Sequence, residues 1–176
     1  MAAAEASIRA CRPEDCADVA RLIRELAEFE NLSDQVKISE QGLREDGFSQ
    51  DPFYKCVVAE VPPECRSKAG HTLVGYGLYF FTYSTWKGRN IYVEDLYVMP
   101  EFRGKGIGKK LMSAIAKVTR LPWDRGCTQM RLAVLDWNRP AIDFYLGKGA
   151  TDLTAAEGWH VFRFEQAAML CLSSGE

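Results

Sequence analysis

A glycine-rich run in the middle of the chain carries residue types that bind anions. Gly104, Gly106 and Gly108 alternate with Lys105 and Ile107, and an apolar periodic segment that predicts a helix follows them. A glycine turn leading into a helix offers several backbone N–H groups and the positive end of the helix dipole. These spacings predict a site for a phosphate or pyrophosphate group.

Two common phosphate-binding motifs do not fit this run. A Walker A loop would need glycine in place of Arg103 and a hydroxyl residue in place of Lys110. The dinucleotide-binding pattern G-x-G-x-x-G lacks its last glycine here, and the run follows predicted antiparallel strands. The glycines alone fit a structural turn without a ligand at least as well.

Charge is distributed unevenly along the chain although the net charge is only −2. Residues 25–51 contain eight acidic and two basic side chains, whereas residues 101–131 contain eight basic and two acidic ones. The acidic segment suits a cation and the basic segment suits an anion, unless both are simply solvated helix faces. Nucleic-acid binding is disfavoured because no further basic or stacking motif accompanies the basic segment.

The length of 176 residues, with 47% hydrophobic and 26% charged residues, predicts one globular domain over 1–176 with its core at about 8–166. Six cysteines are scattered without a C-x-x-C pair and only two histidines are present, so we expect free thiols and no metal. No long apolar segment predicts a membrane span, and no signal segment opens the chain. We therefore expect a cytoplasmic location.

The apolar patterns predict a mixed α/β chain of the α+β type with a largely antiparallel sheet. Val19, Leu22 and Leu26 recur at helical spacing after a short first strand, and Ser39 is a candidate cap for a second helix that stops by Gly47. Strands are predicted at 7–10, 54–61, 73–83, 90–98, 130–135 and 161–164, and further helices at 107–118 and 140–146.

The glycine run and the strand before it resemble the R/Q-x-x-G-x-G/A signature of the Gcn5-related N-acetyltransferases (GNAT). The residues that carry the resemblance are Glu94-Asp95-Leu96-Tyr97-Val98 followed by Arg103 to Gly108. Segments 21–30, 52–54, 134–138, 144–145 and 157–159, together with Trp86, resemble the diamine acetyltransferases of that superfamily. Segments 83–89 and 132–138 look more like the thialysine-acetylating branch than the spermidine/spermine branch. The resemblance covers residues 8–164 and implies a single-domain GNAT fold with a mixed, mostly antiparallel sheet.

The resemblance implies acetyl transfer from acetyl-CoA to a primary amine. An alkyl amine of pKa about 10.4 is neutral in only about one molecule in a thousand near pH 7, so a proton acceptor is needed. Glu94 takes this role by resemblance, through ordered water, although the residue alone also fits an exposed carboxylate. We expect Asp95 on the opposite face of the strand, since strand side chains alternate. Tyr145 by resemblance protonates the departing thiolate, whereas from the pattern alone it fits a core aromatic.

The resemblance also implies the binding residues. A backbone N–H near Val98, where the strand of the family bulges, is expected to meet the thioester oxygen. The expected contacts with acetyl-CoA are Leu96, Tyr97, Val98, Arg103, Gly104, Lys105, Gly106, Ile107, Gly108, Lys109, Asn138, Arg139, Pro140 and Ala141. The expected amine contacts are Phe29, Glu30, Ser84, Trp86, Glu94 and Asp95. Family members form homodimers whose sites use both subunits, and we expect the same here.

Two departures from the family pattern bear on these expectations. Ser84 stands where the spermidine/spermine branch has an aspartate, so we expect the shorter acceptor thialysine to be preferred over spermidine. Residues 119–124 look longer than the usual connection, which leaves the helix exit and the next strand's register open. Three alternatives remain: a spermidine/spermine N1-acetyltransferase, an enzyme that acetylates protein lysines or N-termini, and a non-catalytic acyl-CoA-binding or interaction module.

Overall fold

The structure, a computed structural model, describes residues 5–118 and 126–175. These residues form two compact units that divide between Ala133 and Val134. The first unit contains a five-stranded sheet in which β1 to β5 lie side by side in chain order. The strands are β1 (Ser7–Ala10), β2 (Lys55–Glu60), β3 (Leu73–Ser84), β4 (Gly88–Val98) and β5 (Gln129–Leu132). β1 to β4 are antiparallel neighbours and β5 runs parallel to β4, which confirms the predicted α+β class and its mostly antiparallel sheet.

The described residues of the first unit include three α-helices: α1 (Cys16–Phe29), α2 (Glu40–Phe48) and α3 (Ile107–Val118). The apolar spacing of α1 buries Val19 and Leu22, as an amphipathic helix packed on a sheet requires. Ser39 caps α2 as predicted, because its Oγ accepts a hydrogen bond from the Gly42 N–H at 3.0 Å. No helix within the described residues is long and apolar enough to cross a membrane.

Helices α1 and α3 cover opposite faces of the sheet. Ile115 of α3 packs over Gly77 on one face, while Glu25 of α1 accepts a hydrogen bond from the Tyr97 hydroxyl on the other. The register pairs Tyr97 with Tyr76, so both tyrosines lie on the α1 face. The core lies between these layers, with Tyr76, Leu22, Ile115 and their neighbours almost fully buried.

The second unit contains α4 (Arg139–Leu146), α5 (Leu153–Glu157) and α6 (Gln166–Ser174). Helix α4 confirms the prediction for 140–146 and begins one residue earlier. Its first turn is capped by Asn138, whose Oδ1 accepts a hydrogen bond from the Ala141 N–H at 3.3 Å.

Two strand predictions need correction. β5 ends at Leu132 rather than at residue 135. Residues 161–164 form no strand and pair with none in the described part of the chain, and α6 follows them instead. Their apolar and aromatic content favours a strand only where a neighbouring strand supplies hydrogen bonds. The long connection at 119–124 lies outside the described residues.

Candidate active site

A β-bulge in β4 places Glu94 and Asp95 on the same face of the sheet. Tyr79 pairs with Val93 and Leu78 pairs with Asp95, so Glu94 is the extra residue in the ladder. An extra residue interrupts the alternation of side chains, and both carboxyl groups therefore lie on the α1 face. The prediction that they point to opposite faces is wrong, because it assumed an unbroken ladder.

The bulge also lies earlier in the strand than the sequence suggested. Val98, where the bulge was expected, pairs regularly with Gly75. The interruption falls instead beside the two carboxyl groups. The extra residue of the bulge therefore brings the two acidic side chains to one face. Bulges commonly redirect side chains in this way next to active sites.

Glu30, at the C-terminal end of α1, joins Glu94 and Asp95 in a cluster that we call the carboxyl cluster. Burial raises the pKa of Glu94 above its ordinary value, and the charge of Asp95 raises it further. The pKa of Glu30 is raised by the same two causes in the same order. The three groups therefore share one electrostatic environment, in which a cation would relieve their mutual repulsion.

Tyr76 donates a hydrogen bond to one member of this cluster. Its hydroxyl lies 2.8 Å from Oδ2 of Asp95, and the tyrosine side chain is fully buried. Burial raises the pKa of Asp95, and the hydrogen bond from Tyr76 acts in the opposite direction. Tyr76 was not among the predicted site residues, although a tyrosine in a buried strand needs a hydrogen-bond partner for its hydroxyl, and this is the signal in the sequence that points to it.

Arg103 connects the glycine run to both β4 and the end of α1. Its Nε donates a hydrogen bond to the Val98 carbonyl oxygen at 2.8 Å. Its guanidinium carbon lies 5.1 Å from the ring centre of Phe29 and 5.5 Å from that of Tyr97, within the range of cation–π attraction. The predicted residues Phe29, Tyr97, Val98 and Arg103 are thus brought together in the first unit.

The glycine run has the backbone geometry that an anion site requires. Gly104 and Gly106 have φ of 74° and 78°, in the left-handed region, and nothing lies within 4 Å of where a Cβ would stand on either. Ile107 begins α3 directly afterwards, and the first N–H groups of a helix have no acceptor within it. Lys105 and Lys109 add positive charge to the same turn, so the residues present fit a phosphate-bearing ligand.

One edge of β4 is open beside the carboxyl cluster. β5 pairs only with the stretch from Asn90 to Val93. On the side away from β3, no strand in the described residues pairs with β4 between Glu94 and Val98. Backbone N–H and C=O groups at such an edge can bind an extended ligand that contains amides. Leu96, Tyr97 and Val98, predicted as coenzyme contacts, lie along this edge.

Ser84 and Trp86 are not brought to the carboxyl cluster within the chain. Ser84 ends β3 opposite Gly88, and its Oγ accepts hydrogen bonds from the Trp86 and Lys87 N–H groups at 3.2 Å each. Glu94 lies six positions after Gly88 along β4, which is roughly 20 Å at the usual rise of a strand. Ser84 is the partly buried last residue of β3, whereas Trp86 lies in the β3–β4 turn and is 79% exposed.

The remaining predicted residues lie in the second unit. Tyr145 is on α4, where its ring meets that of Phe144 edge-on with centroids 5.4 Å apart. Asn138, Arg139, Pro140 and Ala141 form the N-terminal turn of the same helix. No group of three or more metal-ligating side chains occurs in the described part of the chain.

Comparison with known proteins supplies a family context for this site. Residues 21–148 match the acetyltransferase (GNAT) family. The chain is 60% identical to a thialysine N-epsilon-acetyltransferase of Bos taurus over 92% of its own length and 94% of that protein. It is 36% identical to a spermidine/spermine N(1)-acetyltransferase-like protein 1 of Homo sapiens, over 93% of this chain and 23% of that protein. In fold it is similar to an integron cassette protein of V. cholerae, with a TM-score of 0.71, 24% identity and coverage of 96% and 98% of the two chains.

Proposed function

The chain belongs to the acetyltransferase (GNAT) family and is an N-acetyltransferase, and we propose that it transfers the acetyl group of acetyl-CoA to the side-chain amine of thialysine. The carboxyl cluster beside the open edge of β4 carries this proposal. The carboxyl groups would bind a cationic amine, and the open edge of β4 would bind an extended ligand that contains amides. The high identity to a protein named for thialysine supports the choice of acceptor.

Glu94 is the proposed proton acceptor, acting through ordered water. The amine enters as an ammonium ion, which the negative charge of the cluster attracts, and it must lose a proton before it can attack a carbonyl carbon. Partial desolvation and the neighbouring Asp95 charge raise the pKa of Glu94 above its ordinary value, so it holds a proton more readily than an isolated glutamate, and its side chain is exposed to the amine and to water. Glu30 and Asp95 remain as counter-ions, and Phe29 lines the site at the end of α1.

The residues of the glycine run would hold acetyl-CoA, which when bound supplies an activated acetyl group as a thioester. The backbone from Gly104 to Lys109 would bind its pyrophosphate at the start of α3. The open edge from Leu96 to Val98 would bind the amides of its extended arm, and a backbone N–H at this edge would donate to the carbonyl oxygen of the thioester. Asn138 to Ala141 are the proposed further contacts.

Tyr145 is the proposed proton donor to the departing thiolate. A phenol with an ordinary pKa of about 10 can donate to a thiolate whose conjugate acid has a pKa of about 8.5, when the two are held in contact. The resemblance of segment 144–145 to the diamine acetyltransferases supports this role.

In a homodimer, Ser84 and Trp86 of one copy could contact the amine bound to the other copy. Within one chain they stand roughly 20 Å from Glu94 along β4, by the rise of a strand. We propose that the β3–β4 turn reaches the amine site of a second copy of this chain. Absence of an aspartate at position 84 would then disfavour long polycations in that site.

The proposal is tested by measuring release of the coenzyme A thiol from acetyl-CoA with purified protein. Thialysine, spermidine, free lysine, a basic peptide and no amine are compared in parallel. We expect kcat/KM for thialysine to exceed that for spermidine. Comparable values for the two would refute the acceptor preference, and binding of coenzyme A without amine-dependent release would favour a non-catalytic module.

A further inference from the structure

We propose that Tyr76 is a positioning residue of the amine site: its hydroxyl holds Asp95 as the ionised counter-ion and thereby leaves Glu94 as the group that accepts the proton. The inference deepens the proposed function and rests on it. The three carboxyl groups of the cluster are chemically similar, and the hydrogen bond from Tyr76 assigns a different role to Asp95 than to Glu94.

The position of Tyr76 makes its hydroxyl a fixed donor. β3 is hydrogen-bonded to β2 on one side and to β4 on the other, so the backbone of Tyr76 is held from both sides. Its side chain is fully buried, so water cannot replace the carboxylate as its partner. The hydrogen bond to Asp95 Oδ2 at 2.8 Å therefore joins a rigid strand to the bulge that carries the cluster.

The titratable groups that face Asp95 come from three elements. Tyr76 faces it from β3, Glu94 lies beside it on β4, and Glu30 faces it from the end of α1. Tyr92, on the same face of β4, lies close to Glu94. Among these groups, the donor that reaches Asp95 is Tyr76.

Because the Tyr76 hydroxyl donates to Asp95, the carboxyl groups of the cluster differ in their affinity for a proton. Hydrogen bonding to the charged form stabilises that form, so the bond from Tyr76 offsets part of the rise that burial causes in the pKa of Asp95. The charge on Asp95 in turn raises the pKa of Glu94, after burial itself, and increases the affinity of Glu94 for a proton. One fixed anion next to one proton acceptor suits an amine that binds as a cation and reacts as a neutral nucleophile.

The test is the pH profile of kcat/KM for Tyr76→Phe with thialysine. Its acid limb reports the coupled titration of the cluster, and loss of the hydrogen bond should move that limb upward by about one pH unit. At pH values on the acid side of the limb, kcat/KM of Tyr76→Phe should be about tenfold lower than that of wild type. On the alkaline plateau it should approach the wild-type value. Tyr54→Phe is the matched control, since Tyr54 is a buried phenol that donates to the Leu43 carbonyl oxygen at 2.6 Å, away from the site.

A second variant covers the case in which Tyr76→Phe does not fold. Incorporation of 3-fluorotyrosine at position 76 keeps the hydroxyl but makes it a stronger donor, so the acid limb should move to lower pH. A loss of activity equal at all pH values, or an unmoved limb with either change, would overturn the proposal.

A measurement without substrate separates this inference from the proposed function. In Tyr76→Phe the native pKa of Asp95 rises further above its unfolded value, so the free energy of unfolding should keep falling to higher pH than in wild type. In an Asp95→Asn background the same change should have no such effect. If wild type does not acetylate thialysine, the proposed function fails; if it does and neither profile moves, only the role of Tyr76 fails.

Discussion

Glu94 and Asp95 are neighbours in the chain and share one face of β4, because Glu94 is the extra residue of a β-bulge. In a regular strand one of them would face α3 instead of α1. The bulge thus concentrates negative charge at a single point, beside the open edge of the strand. The first two predictions follow from this placement.

Glu94→Gln should lower kcat for thialysine by about a hundredfold or more at neutral pH, the range expected for loss of a positioned base. The amide keeps the shape of the side chain but cannot accept the proton. Binding of coenzyme A, measured by titration calorimetry, should be unchanged. Glu64→Gln, in the exposed loop after β2, is the control for loss of a negative charge. Retention of more than half of the wild-type kcat would exclude Glu94 as the base.

Asp95→Asn should stabilise the fold near pH 7 by about 1 kcal/mol, as relief of an unfavourable active-site charge typically does. Burial raises the pKa of Asp95, so its carboxyl destabilises the native state once pH exceeds the unfolded pKa of about 3.9. The gain should therefore shrink and disappear as pH falls toward 4. Urea unfolding of wild type and variant across this range measures it.

Asp15→Asn provides a control of opposite sign. The hydrogen bond from Arg9 holds the pKa of Asp15 below its ordinary value, so the stability it contributes is present above the unfolded pKa and is lost as pH falls. This variant should be destabilised near pH 7, and its deficit should close at low pH. The same sign of change in both variants would contradict the assignment of the carboxyl cluster.

Local sequence patterns predict the elements of the first unit well. The helical spacing of α1, the cap at Ser39 and the strands around Gly75 and Asp95 all lie where they were expected. These features depend on short-range periodicity and capping, which the sequence displays directly.

Features that depend on pairing between distant segments could not be predicted in the same way. The bulge at Glu94 exists only in the register between β3 and β4, and the bond from Tyr76 to Asp95 joins residues 19 apart. Residues 161–164 show the converse, since a strand-like composition forms no strand without a partner. The candidate site was found through the glycine run, while its charge arrangement came from tertiary structure.

Gly106→Ala should weaken the binding of acetyl-CoA in addition to lowering the stability of the fold. An alanine at φ 78° costs about 1–2 kcal/mol of stability, and rebuilding of the turn would misdirect the N–H groups at the start of α3. We expect a raised KM for acetyl-CoA with little change in KM for the amine. Gly70→Ala is the matched control, because Gly70 has φ 88°, equally open surroundings and a place in a distant loop. Equal effects on KM in both variants would refute an anion site at this turn.

Tyr145→Phe should reduce kcat by about a hundredfold if its phenol protonates the thiolate. The ring contact with Phe144 is preserved by phenylalanine, so the Kd for coenzyme A should stay close to wild type. Stopped-flow measurement of thiol release and calorimetry of coenzyme binding distinguish the two effects. Unchanged kcat would leave Tyr145 as a packing residue of α4.

Ser84→Asp should raise kcat/KM for spermidine by about threefold to fivefold, the worth of one solvent-exposed ion pair, and should leave thialysine less affected. Aspartate can accept the same turn hydrogen bonds from Trp86 and Lys87 that Ser84 accepts, so the turn itself is conserved. Ser84→Asn has the same shape without the charge and is the matched control. The gain should decline as salt is raised, because exposed charges are screened. An equal gain in Ser84→Asn, or no gain in either variant, would remove position 84 from the determinants of the acceptor.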